Sequence, residues 1–359
     1  MKERLIYISP GETSFTRKDI DFLSKKYHVE TTHQSWSDNS KIFLNFWRQF
    51  IFLLKVMPES VAVFVMFGGY WSFLPALLGK IYRKPVFIIL GGADCVSFPE
   101  YNYGSLRKPL LRRIIKWSYM LADRLLPVDE SLVASEYHYD GNVKGKKQGF
   151  KSHFPGLKTP YTVINNGFDP AYWHADNTRK DPQFFTTIAK VTDHSRYVTK
   201  GIDLVIRIAG HFPDHRFNII GMDLAFAKSL GSLPPNIIIH DFLSPEEIKK
   251  ILQESRYYIQ LSISEGFPNA LCEAMLCECI PICSKVGGMP FIVQDSGVLI
   301  DYRDFDLIVR EVSKIIRSND ADLKTLGEKA RKNVAERFPI NKRENAFFEK
   351  LDHVRNNPE

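Results

Sequence analysis

The stretch SEGFPNALCEA, residues 264 to 274, contains the two residues whose types and spacing most directly suggest chemistry, Glu265 and Glu273. The apolar run RYYIQLS before it predicts a strand, and PNALCEAML predicts a helix. Glu265 then precedes the helix, and Glu273 lies about two turns inside it. The first free amides of that helix would face a bound phosphate or pyrophosphate. The residues predicted at this phosphate site are Gly266, Phe267, Pro268 and Asn269.

The two glutamates have different expected partners. A carboxylate beside a bound phosphate is electrostatically costly unless it bonds to something else, so we expect Glu265 to meet sugar hydroxyls or a developing cation. Glu273 can accept hydrogen bonds from a vicinal diol, as acidic residues do for ribose in dinucleotide sites. The alternatives are that Glu265 complements the helix dipole and that Glu273 is a surface glutamate.

The elements around these residues follow a regular rhythm. Short apolar runs alternate with amphipathic helical stretches, which predicts an α/β protein with two doubly wound parallel sheets on either side of about residue 165. In such sheets ligands bind at the carboxyl ends of the strands, so the site is expected in a cleft between the halves. Further predictions are a capping box at 16–19 that opens the first helix, a helix-like segment at 131–137, an exposed loop or lid at 139–160 and a short strand within 161–173.

Composition excludes several classes of protein. Apolar residues make up 44% and charged residues 25%, as in folded soluble chains and not in disordered ones. Four of the five cysteines lie within 272–283 but lack the paired C-x-x-C spacing of zinc sites, so we predict no metal site and buried, reduced thiols. The uncharged segment 61–79 approaches the length of a membrane span, but Gly68-Gly69 and Pro75 divide it into a strand and a helix. The N-terminal apolar run is too short for a signal peptide, so a cytoplasmic location is expected.

The net charge of +7 allows an anionic ligand, a membrane surface or nucleic acid as a partner. No nucleic-acid module is recognisable, so we predict no nucleic-acid partner. The segment 107–126, RKPLLRRIIKWSYMLADRLL, combines basic residues with leucines, isoleucines and a tryptophan. Two interpretations stay open: a helix in peripheral contact with an anionic membrane, or a helix packed on a sheet with a solvated basic rim.

The E-x7-E pattern of Glu265 and Glu273 resembles that of retaining glycosyltransferases with the GT-B fold, most closely family four. Other segments resemble motifs of that family in order and spacing: VINNGFD at 163–169, KGID at 200–203 and VGGMP at 286–290. The triplet at 336–338, ERF, precedes the terminal helix that crosses back to the first domain in the family. The resemblance covers about residues 160 to 345, and the first half agrees in topology alone.

The resemblance implies a GT-B architecture, in which two Rossmann-like domains face each other across a cleft. The expected divisions are an acceptor domain at 1–163, a nucleotide-sugar domain at 164–338 and a helix at 339–359 that packs back on the first domain. The implied activity is that of a hexosyltransferase, which moves a sugar with retention from a UDP- or GDP-linked donor to a hydroxyl acceptor. No cofactor or divalent metal is expected. A glycan or lipid-linked acceptor, used in cell-surface polysaccharide or glycolipid assembly, is expected on the inner membrane face.

The resemblance also assigns roles to single residues. Lys200 would pair with the donor diphosphate, and Lys190 would be the second cation, with Arg196 as the alternative. Phe242 follows a strand where the family recognises the nucleotide base. Gly11, in the segment SPGETS at 9–14 after the first strand, would allow close approach to the diphosphate.

The sequence departs from the family at two positions. Phe291 stands where a glutamate often contacts the donor, and Asp94 lies where a cleft histidine is common. Asp94 either contacts sugar hydroxyls in its place or caps the glycine-rich turn at 91–95. Two other functions therefore stay open: a nucleotide-sugar epimerase of the same fold, and a non-catalytic nucleotide-sugar-binding subunit.

Overall fold

A computed structural model describes residues 2–11, 14–32, 34, 36, 38–176 and 180–356, and it contains two parallel sheets. The first sheet has the order β2-β1-β3-β4-β5, and the second has the order β10-β9-β8-β11-β12-β13. These are the two common doubly wound arrangements, and the second is the dinucleotide-binding order. The α/β class is therefore confirmed. The predicted boundary between 163 and 164 falls in the connection between the sheets and stays a prediction.

The first domain begins with alternating strands and helices and ends in a small hairpin with one short helix. Its elements are β1 (Arg4–Ile8), α1 (Ser14–Lys26), β2 (His28–Thr32), α2 (Ile42–Val56), β3 (Ser60–Met66), α3 (Tyr70–Tyr82), β4 (Val86–Leu90), α4 (Pro109–Leu121), β5 (Arg124–Pro127), β6 (Ser135–Glu136), β7 (Lys147–Gln148) and α5 (Phe150–His153).

The second domain repeats this alternation and continues into two long helices. Its elements are β8 (Asp181–Val191), α6 (His194–Thr199), α7 (Ile202–His211), β9 (Arg216–Met222), α8 (Leu224–Ser229), β10 (Ile237–His240), α9 (Pro245–Glu254), β11 (Ser255–Gln260), α10 (Asn269–Leu276), β12 (Ile280–Ser284), α11 (Met289–Val293), β13 (Val298–Ile300), α12 (Phe305–Ile316), α13 (Asp320–Arg337) and α14 (Ile340–Asn356).

The central strands are buried on both faces, which explains their continuous apolar sequences. Every residue of β4 (VFIIL) and of β11 (SRYYIQ) is buried. Crossovers between parallel strands are right-handed, so α1 lies on one face of the first sheet while α2, α3 and α4 lie on the other. The packing of α2 on α3 and of α3 on α4 agrees with this layer. These helices cover the faces of the sheet and not the ends of its strands, so the carboxyl ends of β1, β3 and β4 are left to face the second domain.

The last helix returns to the first domain. Arg343 on α14 forms a bidentate ion pair with Asp19 on α1, through Nε to Oδ1 at 2.7 Å and Nη2 to Oδ2 at 2.8 Å. Phe347 stacks on Phe64 of β3 with 5.2 Å between ring centroids. The helix therefore fills the face of the first sheet beside α1, and its return, predicted by the resemblance, is observed.

Four local predictions are wrong. Helix α1 begins at Ser14, so 16–19 lies inside the helix, where Asp19 binds Arg343 and does not help to form a capping box. The segment 131–137 forms a short 3-10 turn and β6. The segment 139–160 is not wholly an exposed loop, because it contains β7 and α5 and buries Tyr139 and Phe150, although many of its other residues are exposed. Within 161–173 the backbone runs along β5 and makes isolated bridges at Tyr161, to Leu125, and at Phe168, to Pro339, but it forms no strand.

Two further points concern membrane-spanning helices and the state of the cysteines. Among the described residues, none of the helices combines the length and the apolar character that crossing a bilayer requires. The segment 61–79 forms β3, a turn and most of α3, as predicted. All five cysteines are buried as free thiols.

Candidate active site

The end of α6, which follows β8, and the loop after β11 bring Lys200 and Glu265 together. Lys200 Nζ donates to Glu265 Oε1 at 2.7 Å. The same oxygen accepts hydrogen bonds from Gln260 Nε2 at 2.9 Å and from Ser262 Oγ at 2.8 Å. Both side chains are largely buried, so these three donors fix the position of the carboxylate. Strands β8 and β11 are neighbours at the point where the strand order reverses, which is where doubly wound sheets bind ligands.

Gly201 is the residue that allows this approach. It has a φ of +70°, and a Cβ at this position would lie 2.1 Å from the backbone oxygen of Leu261. The neighbouring backbone is joined by a hydrogen bond from the Ile263 amide to the Thr199 carbonyl at 2.8 Å. A side chain at 201 would therefore separate the lysine loop from the glutamate loop.

Electrostatics keep Lys200 charged. Burial lowers the pKa of Lys200, but Glu265 and Tyr103 outweigh this effect, so the pKa lies above its ordinary value. Tyr103 comes from the irregular segment before α4 in the first domain, and burial raises the pKa of its hydroxyl while the charge of Lys200 opposes that shift. A buried lysine that stays protonated is suited to bind an anion that enters the site.

The turn after β11 touches the first domain through glycines. A Cβ on Gly266 would lie 2.2 Å from the carbonyl oxygen of Gly91, and a Cβ on Gly287 would lie 1.7 Å from that of Glu265. The Gly288 amide donates to the Gly266 carbonyl at 2.9 Å. The backbones of the two domains thus meet directly beside Glu265, at a distance that side chains would prevent.

Glu273 lies on α10 and faces α1 of the first domain. Its carboxylate is 3.6 Å from Lys18 Nζ, and Lys18 also lies over the ring of Phe168. Burial raises the pKa of Glu273, and the charge of Lys18 opposes this. At the start of α10, Asn166 Nδ2 donates to Asn269 Oδ1 at 2.8 Å. Glu273 is therefore a largely buried, paired residue and not a surface glutamate. Its contact with a sugar diol stays a prediction.

Three other residues that are predicted to bind the nucleotide sugar lie near the carboxyl ends of strands in the second sheet. Lys190, near the end of β8, places its Nζ 5.3 Å from the ring centroid of Phe242, which is exposed after β10. Arg196, on α6, forms an ion pair with Asp193 at 3.7 Å, and its charge lowers the pKa of Lys200. Lys190 and Phe242 thus form a cation–aromatic pair at the edge of the site, while Arg196 contributes positive charge near Lys200.

Asp94 occupies the loop after β4 but is only 2% exposed. It accepts hydrogen bonds from the amides of Gly68 at 2.9 Å and Gly92 at 3.0 Å, and from the Tyr119 hydroxyl at 3.1 Å. Burial raises its pKa despite these donors. This geometry favours the turn-capping interpretation, and a contact with sugar hydroxyls stays a prediction.

Gly11 is exposed after β1, and a Cβ there would meet no atom within 4 Å. Glu12 and Thr13 of the same predicted segment lie outside the described residues. Phe291 is held beside Arg337, whose guanidinium carbon is 4.4 Å from the ring centroid.

Sequence reasoning missed Gln260, Ser262 and Tyr103. The first two alternate at the end of β11, so their shared direction toward Glu265 was available from the period of a strand. Tyr103 had no such signal, because an irregular loop of the other domain brings it to Lys200.

A cavity of about 350 Å³ lies between the domains with Glu265 in its wall. Its other lining residues include Phe98, Ser131, Tyr137, Gln148 and Gly287. A larger cavity of about 740 Å³ lies elsewhere, between the ends of α3 and α4 and α14, and none of the predicted site residues line it. We place the chemistry at the smaller cavity because Glu265, which is paired with Lys200, lies in its wall, and because its size suits a small ligand.

Comparisons with known proteins bear on the family and the fold of the chain. Residues 176–333 match the family described as glycosyl transferases group 1. The chain is 25% identical over 174 residues to a phosphatidylinositol N-acetylglucosaminyltransferase subunit of Arabidopsis thaliana, covering 43% of this chain and 39% of that protein. It is 25% identical over 242 residues to N-acetyl-alpha-D-glucosaminyl L-malate synthase of Bacillus anthracis, covering 64% of this chain and 59% of that protein. The chain thus spans less than two thirds of the length of these relatives.

Solved structures resemble the chain over nearly its whole length. Sucrose-phosphate synthase of Thermosynechococcus elongatus superimposes with a TM-score of 0.75 at 12% identity, covering 98% of this chain and 99% of that one. Anabaena HepE, solved in complex with UDP, gives a TM-score of 0.72 at 15% identity, covering 98% of this chain and 100% of that one. At these identities the likeness establishes the fold, which is GT-B, as the sequence motifs predicted.

Proposed function

We propose that this chain, which has the GT-B fold and whose residues 176–333 match the group 1 glycosyl transferases, is a retaining hexosyltransferase. It would move a sugar from a nucleoside-diphosphate sugar to a hydroxyl of an acceptor. The observation that supports this function most directly is the Lys200–Glu265 pair at the switch point of the second sheet. A buried cation and a carboxylate placed there can act on a diphosphate and on the sugar attached to it.

The residues of the pair would have separate roles. Loss of the nucleoside diphosphate builds negative charge on the leaving oxygen, and Lys200 would bind that charge together with the amides at the start of α10. The sugar becomes oxocarbenium-like at the same time, and Glu265 would stabilise its positive charge and hold its hydroxyls. Gln260 and Ser262 would keep the carboxylate in place when Lys200 turns to the phosphate.

Leaving and attack would occur on the same face of the sugar, which retains the anomeric configuration without a covalent enzyme intermediate. No divalent metal is needed, because lysine and backbone amides supply the positive charge that stabilises the leaving diphosphate. Lys190 and Phe242 would contact the diphosphate and the base at the edge of the site. UDP is the first nucleotide to test, since Anabaena HepE was solved with UDP, and GDP is the second.

The proposed acceptor is a hydroxyl of a glycan or of a lipid-linked molecule used for cell-surface polysaccharide or glycolipid. Two relatives are named as phosphatidylinositol N-acetylglucosaminyltransferase subunits, which supports testing lipid hydroxyls first. The N-acetyl-alpha-D-glucosaminyl L-malate synthase supports UDP-N-acetylglucosamine as the first sugar donor to test.

A thermal-shift panel of UDP- and GDP-linked sugars tests donor binding. The donor that raises the melting temperature is then incubated with the protein and an acceptor, and NMR of the anomeric proton identifies the linkage in the product. An α-linked product from an α-linked donor is expected. A β-linked product would refute retention. Release of a different free nucleotide sugar without acceptor would identify an epimerase, and binding of a donor without any turnover would identify a non-catalytic subunit.

A further inference from the structure

Exposed apolar side chains are concentrated on one layer of the first domain. In the part of the chain that the structure describes, fourteen large hydrophobic side chains are exposed, and nine of them lie on α2, α3 or α4. The nine are Phe43, Leu44, Trp47, Ile51, Leu54, Ile81, Leu110, Trp117 and Met120. Scattered exposed leucines are ordinary, but such a concentration on adjacent helices marks an interaction surface.

Helix α2 has an apolar stripe on its exposed side, in addition to Leu53 and Val56 on its buried side. Its buried positions include the polar residues Asn45 and Gln49, whereas Phe43 is 85% exposed and Trp47 is 57% exposed. Phe43, Trp47, Ile51 and Leu54 are spaced three or four residues apart, so they form one stripe along the helix. A helix that serves only to cover a sheet would have polar residues at these exposed positions.

The charge on the same layer is of one sign. Helices α2, α3 and α4 contain no Asp or Glu and contain six Lys or Arg. Among the described residues, Arg48, Lys55, Arg113 and Lys116 have no ion-pair partner. On α2, Arg48 and Lys55 lie along one edge of the apolar stripe, and on α4, Arg113 lies between Leu110 and Trp117 on one face.

A basic groove adjoins α4. It has a volume of about 310 Å³ and is lined by Leu106, Arg107, Pro109, Arg112, Arg113, Lys116, His153 and Phe154. Burial and the neighbouring Arg112 lower the pKa of His153, so arginine and lysine supply the positive charge of the groove near neutral pH. The size and charge of the groove suit a phosphate group.

We propose that α2 and α4 form a docking face for bilayers that contain anionic phospholipid. Trp47, Phe43 and Trp117 enter the interfacial region, and the cations contact lipid phosphates. A bilayer fits better than an acidic protein because the apolar stripe lies on the outward side of a helix and tryptophan favours the interface. The face does not depend on sugar transfer, since none of its residues belongs to the candidate active site.

Vesicle flotation of the full chain tests this docking face. Vesicles of phosphatidylcholine alone are compared with vesicles containing about 30% phosphatidylserine, at about 0.15 M and about 0.5 M salt. The protein should float with the anionic vesicles and be released from them by the higher salt. Each cation contributes a factor of roughly five to partitioning, so Arg113→Gln/Lys116→Gln should lower it about 25-fold.

Matched variants separate the face from general effects. Lys324→Gln/Lys332→Gln removes the same charge from exposed positions of α13 and should float like the wild type. Phe43→Ser/Trp47→Ser should lower partitioning more than about tenfold at unchanged thermal stability. No flotation with anionic vesicles, or an equal loss in the α13 control, would overturn the proposal. So would a stable dimer that Phe43→Ser/Trp47→Ser converts to a monomer, because a second copy would then cover the face.

Discussion

Replacing Arg343 by methionine should lower the free energy of unfolding by about 3–5 kcal/mol, because the change leaves a buried carboxylate without its cation. The side chains of Arg343 and Asp19 are 3% and 1% exposed, and two hydrogen bonds of 2.7 and 2.8 Å join them. Arg343 also donates to the Ile164 and Asn165 carbonyls at 3.1 and 3.2 Å. Among the described residues, Asp19 would keep the Tyr7 hydroxyl, at 3.1 Å, as a donor.

The assay is urea unfolding followed by fluorescence and circular dichroism, with Arg355→Met as the matched control. Arg355 lies on the same helix and forms a bidentate pair with Glu3 at 3.0 Å, but both partners are substantially exposed. This control should cost less than about 1 kcal/mol, since solvent screens exposed pairs. The double variant Asp19→Leu/Arg343→Leu should recover part of the loss, because no buried charge remains. A cost below about 1 kcal/mol for Arg343→Met would refute the role of this pair in holding α14.

Further expectations concern backbone geometry, titration and metal. Gly201→Ala should lower the free energy of unfolding in urea by about 2 kcal/mol or more and reduce sugar transfer, because φ at this position is +70° and a Cβ would collide with the backbone oxygen of Leu261. The control Gly210→Ala should not lower the free energy of unfolding, because the nearest neighbour of a Cβ there is 3.6 Å away. Burial raises the pKa of Asp94, so its contribution to stability is full below about pH 3.9 and is lost as the pH rises through the folded pKa. When unfolding is measured at a series of pH values, the wild type should therefore lose stability relative to Asp94→Asn above about pH 4. If the stabilities of the two proteins instead change with pH in parallel, the raised pKa of Asp94 is contradicted. Transfer should persist in excess EDTA, and loss of transfer that Mg²⁺ restores would contradict the proposed metal independence.

Local patterns in the sequence predicted the elements whose structure is decided locally. The sequence SPEE at 244–247 is typical of a capping box, and in the structure Ser244 N donates to Glu247 Oε2 at 2.8 Å while Ser244 Oγ accepts from the Glu247 amide. The alternation of strands and helices predicted both sheets, because strands buried on two faces have continuous apolar sequences. The resemblance assigned Lys200 to the donor diphosphate, beside the sugar expected at Glu265, and the two side chains lie 2.7 Å apart.

Contacts between distant parts of the chain explain the errors. Asp19 satisfies the pattern of a capping box, but its partner Arg343 is 324 positions away. Glu273 faces Lys18 of the other domain, which no spacing in the sequence indicates. The burial of the segment 139–160 follows from apolar residues such as Tyr139 and Phe150, which are separated by polar and glycine residues. Tertiary packing therefore decided what local composition could not.

The catalytic role of the Lys200–Glu265 pair is tested most directly by the steady-state transfer rates of Glu265→Gln and Lys200→Met. Both variants should lose about 100- to 1,000-fold in kcat while keeping the wild-type circular dichroism spectrum, because each removes charge stabilisation in the transition state. The double variant should be little worse than either single one, since the residues act as a unit. Lys329→Met, which breaks a surface pair of 2.6 Å with Asp295, should leave kcat unchanged. A folded Glu265→Gln or Lys200→Met protein with a kcat within about threefold of the wild type would contradict the account.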